Sequence, residues 1–190
     1  MESEFFDIEA YHARQKKWDL SYLVDAMVEA RRSKDPSTKV GGIVVRPDLT
    51  TASRGYNGFP RRVADTEGRL TDRAIKLDLV VHAETNALLT AKEPLTGYTM
   101  YTTFPPCIRC AVSIIQAGIG RVVAIKPTPQ QEERWGFGRT RDILQEAGIE
   151  LQEYELGDVL ESAKADGISF SEKLLKAMGK DAPSCDCGGH

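Results

Sequence analysis

The sequence predicts an α/β sandwich, and three observations carry that reading. Short runs rich in Val, Ile and Thr recur at 40–45, 98–102 and 121–125. Segments with apolar residues at helical spacing alternate with them, which is the pattern of helices laid on a sheet. Asp35-Pro36-Ser37, Pro94, Gly97 and Gly118 punctuate the boundaries. Of the 190 residues, 41% are hydrophobic, enough for one core of ordinary size. A single domain is expected over 1–180, with a flexible tail over 181–190.

Residues 1–17 show no clear period and are expected to be an extension. Leu20, Leu23, Val24, Met27 and Val28 fall at helical spacing, so 19–32 reads as an amphipathic helix. Val40 to Val45 and Thr50 to Gly55 read as a strand pair turned at Pro47-Asp48. Gly41-Gly42 weakens the first strand, but glycine also permits close approach of backbone to a ligand. The stretch 56–74 reads as a long connection, and such loops are usually functional or disordered. His82 to Ala91 is expected to be helical, Tyr98 to Thr102 a strand, and Cys107 to Ala117 a helix closed by Gly118. Arg121 to Ile125 is the next strand. A helix over 139–147, a strand over 149–154 and a last helix from Ser169 to Met178 complete the reading.

Two segments carry chemistry. The first, VVHAETNALL, holds His82 and Glu84; the second, TTFPPCIRCAVSIIQAGI, holds Cys107 and Cys110. Cysteines three apart at a helix start share a face, so both sulfurs can meet one ion. The unpaired amides of that first turn favour thiolate over thiol, and Pro105-Pro106 stiffens the approach. One imidazole and two thiolates suit Zn2+, one catalytic ion per chain, with a fourth position left for water. Glu84 then stands where a proton shuttle beside the metal is needed. A structural zinc site would want a fourth Cys or His nearby, and none lies near either segment. A core histidine with two inert cysteines, or a non-enzymatic zinc module that binds nucleotide or protein, leaves Glu84 without a purpose.

These segments, with RSKDPSTKVGGIVV and RGYNGFPRR, resemble the deoxycytidylate deaminase family within the cytidine-deaminase superfamily. The matching text spans residues 31 to 119. HxE with PCxxC marks the superfamily, and GYNGFP at 55–60 selects the nucleotide branch. The resemblance implies a three-layer α-β-α sandwich around a central mixed sheet of about five strands. It implies that His82, Cys107 and Cys110 bind zinc and that Glu84 moves protons. It places Asn57 against the nucleoside and Lys39 near the phosphate. Backbone groups of Ala83 and Thr103 become contacts for the base edge. The implied reaction is hydrolytic deamination of dCMP to dUMP with release of ammonia, which supplies dUMP for thymidylate synthesis. Homo-oligomers, most often hexamers, are implied as well. So is regulation by dCTP and dTTP, with Mg2+ accompanying a triphosphate effector.

The chain departs from that pattern after GYNGFP. Arg62 stands where regulated relatives usually have glycine, and no Pro-Trp follows in PRRVADTEGRLTDRAIKLD. Arg61 and Arg62 beside the pocket suggest an alternative, action on dCTP as well as dCMP or on a modified dCMP. With Arg69 and Arg73 they can form a local basic pocket for phosphate.

Formal net charge is -3, which argues against a nucleic acid polymer as partner and against a tRNA adenosine deaminase. A small-molecule deoxynucleotide fits better. No apolar run is long enough to cross a membrane, and MESEFFDIEAYHARQKKWD has no signal-peptide character. Four cysteines, two in the CxxC and two at the end, do not form a disulfide framework. A reduced cytoplasm follows, a host's if the chain is phage-encoded. Tyr56, Phe104 and Tyr154 are candidates for packing on the base or sugar. Trp135 and Phe137 read as interface or core. Cys185, Cys187 and His190 have metal-binding side chains but sit in a terminal glycine-rich stretch.

Overall fold

The computed structural model describes residues 7–179. The expected tail over 181–190, with Cys185, Cys187 and His190, lies outside the described residues. The first element is helix α1, Ile8–Ala30. It begins well before the expected Asp19. The Asp7 carboxylate accepts from the Ala10 amide at 3.0 Å and caps it. Residues 8–14 are all exposed, so this part of the helix needs no apolar stripe and shows no period.

Strands β1 (Gly41–Val45), β2 (Thr51–Tyr56), β3 (Thr99–Thr102), β4 (Arg121–Ile125) and β5 (Glu150–Tyr154) form one sheet in the order β2-β1-β3-β4-β5. β1 runs antiparallel to β2 and β3, while β3, β4 and β5 are parallel. The sheet is mixed and five-stranded, as the family resemblance implies.

Side chains alternate between its faces with period two. Ile43, Val45, Tyr101 and Val123 join Leu23 and Met27 of α1 and Val159 of α8 (Leu156–Ala165) in one apolar layer. Val44, Met100 and Val122 turn the other way. They pack with Ala87 of α4 (Ala83–Thr90), Ile114 of α5 (Ile108–Gln116) and Leu144 of α7 (Gly138–Glu146). Helices therefore cover both faces. The last helix, α9 (Glu172–Gly179), adds Leu174 and Met178 to the first layer.

Two glycines set how near the helices come to the sheet. A Cβ on Gly41 would fall 2.0 Å from the Ala26 carbonyl oxygen of α1. The close approach at this glycine is to a helix backbone rather than to a ligand. A Cβ on Gly55 would fall 2.3 Å from both the Ala83 carbonyl oxygen and the Ala87 amide of α4.

The 56–74 connection is more ordered than expected. It contains α2 (Glu67–Thr71) and leads into α3 (Arg73–Leu79). Gly58 and Val81 exchange backbone hydrogen bonds of 3.1 and 2.8 Å, closing the neck of this excursion. The buried Lys76 ammonium of α3 donates to Asp35 Oδ1 at 3.3 Å and Ser37 Oγ at 2.7 Å, fixing α3 to the loop before β1. Two further helices, α6 (Pro129–Trp135) and α8, were not anticipated from the pattern.

Candidate active site

β1 runs opposite to β3, so the start of β1 and the ends of β2, β3 and β4 share one edge of the sheet. In open α/β sheets, crevices form beyond the carboxyl ends of parallel strands. Here a cleft of about 340 Å³ opens at that edge. Thr38 and Val40 from before β1 line it, with Asn57 from after β2 and Phe104 and Pro105 from after β3.

The starts of α4 and α5 meet on its floor. His82 and Cys107 are the N-cap residues of the two helices, and neither uses its side chain to cap. Cys110, one turn into α5, is buried. His82 Nδ1 lies 3.6 Å from Cys107 Sγ and 3.4 Å from Cys110 Sγ. The three donor atoms lie within 4.8 Å of one another. Zn–N and Zn–S bonds at a tetrahedral angle would separate nitrogen and sulfur by about 3.6 Å. The donor set and its spacing therefore fit one zinc ion, with Nδ1 as the imidazole ligand.

The electrostatics point the same way. Glu84 is 4% exposed, and burial pushes its carboxyl up to about 6. The neighbouring Cys107 sulfur, together with burial and Glu84, pushes the Cys110 thiol far above its usual range. Hydrogen bonding to Cys107 holds His82 up to about 9 against the opposing effect of burial. Two thiols and a carboxyl thus crowd one low-dielectric spot, and the imidazole proton is the positive charge they share. A divalent cation relieves that crowding and leaves the thiolates stable.

Asn57 is buried in the cleft wall. Its Oδ1 accepts from the Val40 amide at 2.8 Å and its Nδ2 donates to the Thr38 carbonyl at 2.9 Å. The asparagine thus holds the strand-entry segment 38–40 in place. Ala83 also lines the cleft. Phe104, a candidate for packing on the base or sugar, does so too, whereas Lys39, Tyr56, Arg61, Arg62, Thr103 and Tyr154 are not part of its wall. Thr103 continues the β1–β3 pairing, its amide donating to the Gly41 carbonyl at 3.1 Å. Lys39 Nζ donates to the Ser33 carbonyl, and burial, with Lys173 nearby, lowers its pKa. Arg61 and Arg62 are exposed. Tyr154 donates to Asp19 Oδ2 at 2.8 Å and packs against the α1-side layer.

The structure adds residues that the sequence reading placed elsewhere or passed over. Trp135 and Phe137, read as interface or core, line the cleft with Phe104. Their rings meet edge-on, Phe104–Trp135 at 5.6 Å and Trp135–Phe137 at 5.8 Å. Leu77 and Val80, from the excursion before α4, close the wall. Thr128-Pro129 with Gln131 is a capping-box signal that marks the helix carrying Arg134 and Trp135.

Residues 16–126 match the family model for the cytidine and deoxycytidylate deaminase zinc-binding region. The chain belongs to that family. It is an enzyme of the deaminase type, and His82, Cys107 and Cys110, the group that could hold a metal ion, lie within the matched residues. An uncharacterized deaminase from the luxG 3′ region of Aliivibrio fischeri is 36% identical over 137 residues, covering 71% of this chain and 92% of that protein. Mouse deoxycytidylate deaminase is 31% identical over 147 residues, covering 73% and 80%. Among solved structures, the dCMP deaminase of cyanophage S-TIM5 in complex with dCMP and dUMP matches with TM-score 0.55 and 26% identity, over 70% of this chain and 94% of that one. No helix among the described residues is long and apolar enough to cross a membrane.

Proposed function

We propose that this deaminase converts dCMP to dUMP with release of ammonia. The observation that carries the reading is the meeting of His82, Cys107 and the buried Glu84 in the lining of one cleft, with the buried Cys110 sulfur beside them. A relative solved with dCMP and dUMP supports the choice of nucleotide, as do relatives named deoxycytidylate deaminase.

Zinc held by His82 Nδ1, Cys107 Sγ and Cys110 Sγ would acidify a water molecule at neutral pH. Glu84 is placed to handle the protons. A carboxyl poised at about 6 by burial can accept a proton from the attacking water and return it. It delivers one proton to ring N3 as oxygen adds to C4, then assists protonation of the departing amine. Water enters and ammonia leaves, so the ring ends as uracil. Asn57 and Ala83 border the same space, where the Asn57-pinned segment and the start of α4 can meet the base edge. Phe104, Trp135 and Phe137 exclude water and offer ring surfaces to the base.

Supply of dUMP to thymidylate synthesis belongs to the same proposal, because dUMP is the product. So does assembly into a homo-oligomer. Leu89 of α4 and Val112 of α5 are 73% and 56% exposed, apolar side chains suited to cover by a second copy.

The test is product analysis. Zinc-loaded protein is incubated with dCMP, deoxycytidine and dCTP, and uracil products and ammonia are measured. Formation of dUMP from dCMP supports the reading. Turnover of dCTP at a comparable rate would favour the broader specificity suggested by the arginines after GYNGFP, and no turnover of any of the three would refute the proposal.

A further inference from the structure

Against the cluster of His82, Cys107 and Cys110 stands a side chain that proton transfer at the ring does not use. The Thr85 hydroxyl lies 3.7 Å from Cys110 Sγ, within hydrogen-bond reach of an atom as large as sulfur. The contact follows from two matching spacings. His82 and Thr85 are three apart at the start of α4, and Cys107 and Cys110 are three apart at the start of α5, so each pair shares a helix face. Where the faces meet, His82 Nδ1 approaches both sulfurs and Thr85 Oγ1 approaches the more deeply buried one. Other helical hydroxyls of the chain are used differently. Thr71, Thr90 and Ser113 each donate back to a carbonyl of the preceding turn, that of Glu67, Ala87 and Arg109, at 2.8, 3.1 and 3.2 Å. Thr85 instead reaches across to α5.

The two cysteines differ in what else can reach them. Cys107 lines the cleft and is half-buried. Cys110 is 2% exposed and is not part of the cleft wall. A thiolate at that depth is out of reach of bulk water. An ionised group taken out of water is costly unless it is paired and hydrogen-bonded, so Cys110 needs a donor from the protein as well as an ion. A metal-bound thiolate carries no hydrogen. In that state the contact has one polarity: the Thr85 hydroxyl donates and the Cys110 sulfur accepts.

We propose that Thr85 is a positioning residue of the metal site, its hydroxyl donating to the Cys110 thiolate, fixing that sulfur as a ligand and strengthening the hold on zinc. This inference rests on the reading of His82, Cys107 and Cys110 as the zinc ligands. A hydrogen bond to an ionised acceptor is about twice as strong as one between neutral groups. Groups that hydrogen-bond a metal's ligands commonly contribute 10- to 100-fold to metal affinity. The same bond draws charge off the sulfur, which raises the Lewis acidity of the ion that the sulfur holds.

The test compares the full chain with T85V, T85A, T85S and C110S, each checked for folding by circular dichroism. Zinc affinity is read by competition with a chromophoric chelator. The cobalt(II) form is read by its sulfur-to-cobalt charge-transfer band in the near ultraviolet. T85V and T85A are expected to bind zinc roughly tenfold to a hundredfold more weakly. Their cobalt band is expected at longer wavelength, because a sulfur without its donor gives up electron density more easily. T85S keeps the hydroxyl and is expected to hold both readouts near wild type. A packing role would give the reverse order, with T85V, which keeps the branched shape, near wild type and T85S weakened. That order, or wild-type values in all three Thr85 variants, would overturn the inference, and zinc binding lost in C110S would leave the metal site standing. A wild type that binds neither ion, or C110S binding as tightly as wild type, would overturn the zinc reading and this inference with it.

Discussion

Gly55 of β2 lies directly beneath Ala83 of α4, so close that a single added methyl would stand 2.3 Å from the Ala83 carbonyl oxygen. The obstacle is backbone, which cannot swing aside. This contact fixes the depth of α4 against the sheet and with it the position of His82 and Glu84, which flank Ala83 in sequence. Gly55→Ala is therefore expected to push the helix outward and to cost about 1–3 kcal/mol of stability. Zinc retention should fall with it. Urea denaturation and metal content on the same preparation check this; an alanine variant with wild-type midpoint and full zinc would show that the helix is placed by other contacts.

The fold class was legible because the central strands β1, β3 and β4 are short, mostly buried and carry β-branched residues, as at Val122 and Val123. The gathering of His82, Cys107 and Cys110 was legible because cysteines three apart at a helix start share one face, and the structure brings their donor atoms within 4.8 Å of one another. The rest of the cleft was not, and the reason is geometric. Trp135, Phe137, Arg134 and Arg139 reach the cleft because β3 and β4 are parallel neighbours, so their following loops rise at one edge. No local period in RWGFGR encodes that adjacency. Tyr154 illustrates the converse. As an aromatic residue near a strand end it could face either layer, and its hydroxyl was drawn to Asp19.

Metal removal should be felt in stability as well as rate. The donor atoms His82 Nδ1, Cys107 Sγ and Cys110 Sγ are gathered only in the folded chain. An ion that binds the native state alone stabilises it by about 2.7 kcal/mol at a hundredfold excess over its dissociation constant. Thermal melting with chelator is expected to show a clear fall in Tm, restored by added zinc. Cys110→Ser should lose most of that difference. Identical melting with and without zinc would speak against metal binding by this group.

Glu84→Gln keeps the shape of a nearly fully buried side chain and removes its acid–base function. Turnover is expected to fall by about 10²- to 10⁴-fold, the usual range for a general acid–base group. Zinc content should stay near wild type, because Glu84 is not one of the three clustered donors. Rate and zinc measured together separate the two roles. A variant with normal turnover would show that another group carries the proton, and one that loses zinc would make Glu84 part of the metal site.

Asp19 offers a test of stability remote from the chemistry. Its carboxylate is fully buried, takes two bonds from Arg121 at 2.7 and 2.8 Å, and accepts from Tyr101 at 2.9 Å and Tyr154 at 2.8 Å. It joins α1 to strands β3, β4 and β5. Burial alone would raise its pKa, but Arg121 and the hydrogen bonds from Tyr154 and Gln15 outweigh it and hold the group below its ordinary 3.8. A carboxyl lowered in the folded state stabilises the protein above its unfolded pKa, and that contribution disappears as pH falls through the folded value. Asp19→Asn leaves Arg121 facing a neutral partner, and at neutral pH should cost about 3–5 kcal/mol. The gap between wild type and variant should then narrow steadily below about pH 4, as the wild-type carboxyl takes up its proton. Denaturation at pH 7, 5, 4 and 3 measures it. A gap that stays constant down to pH 3 would mean that the cost of the substitution is not tied to ionisation of the carboxyl.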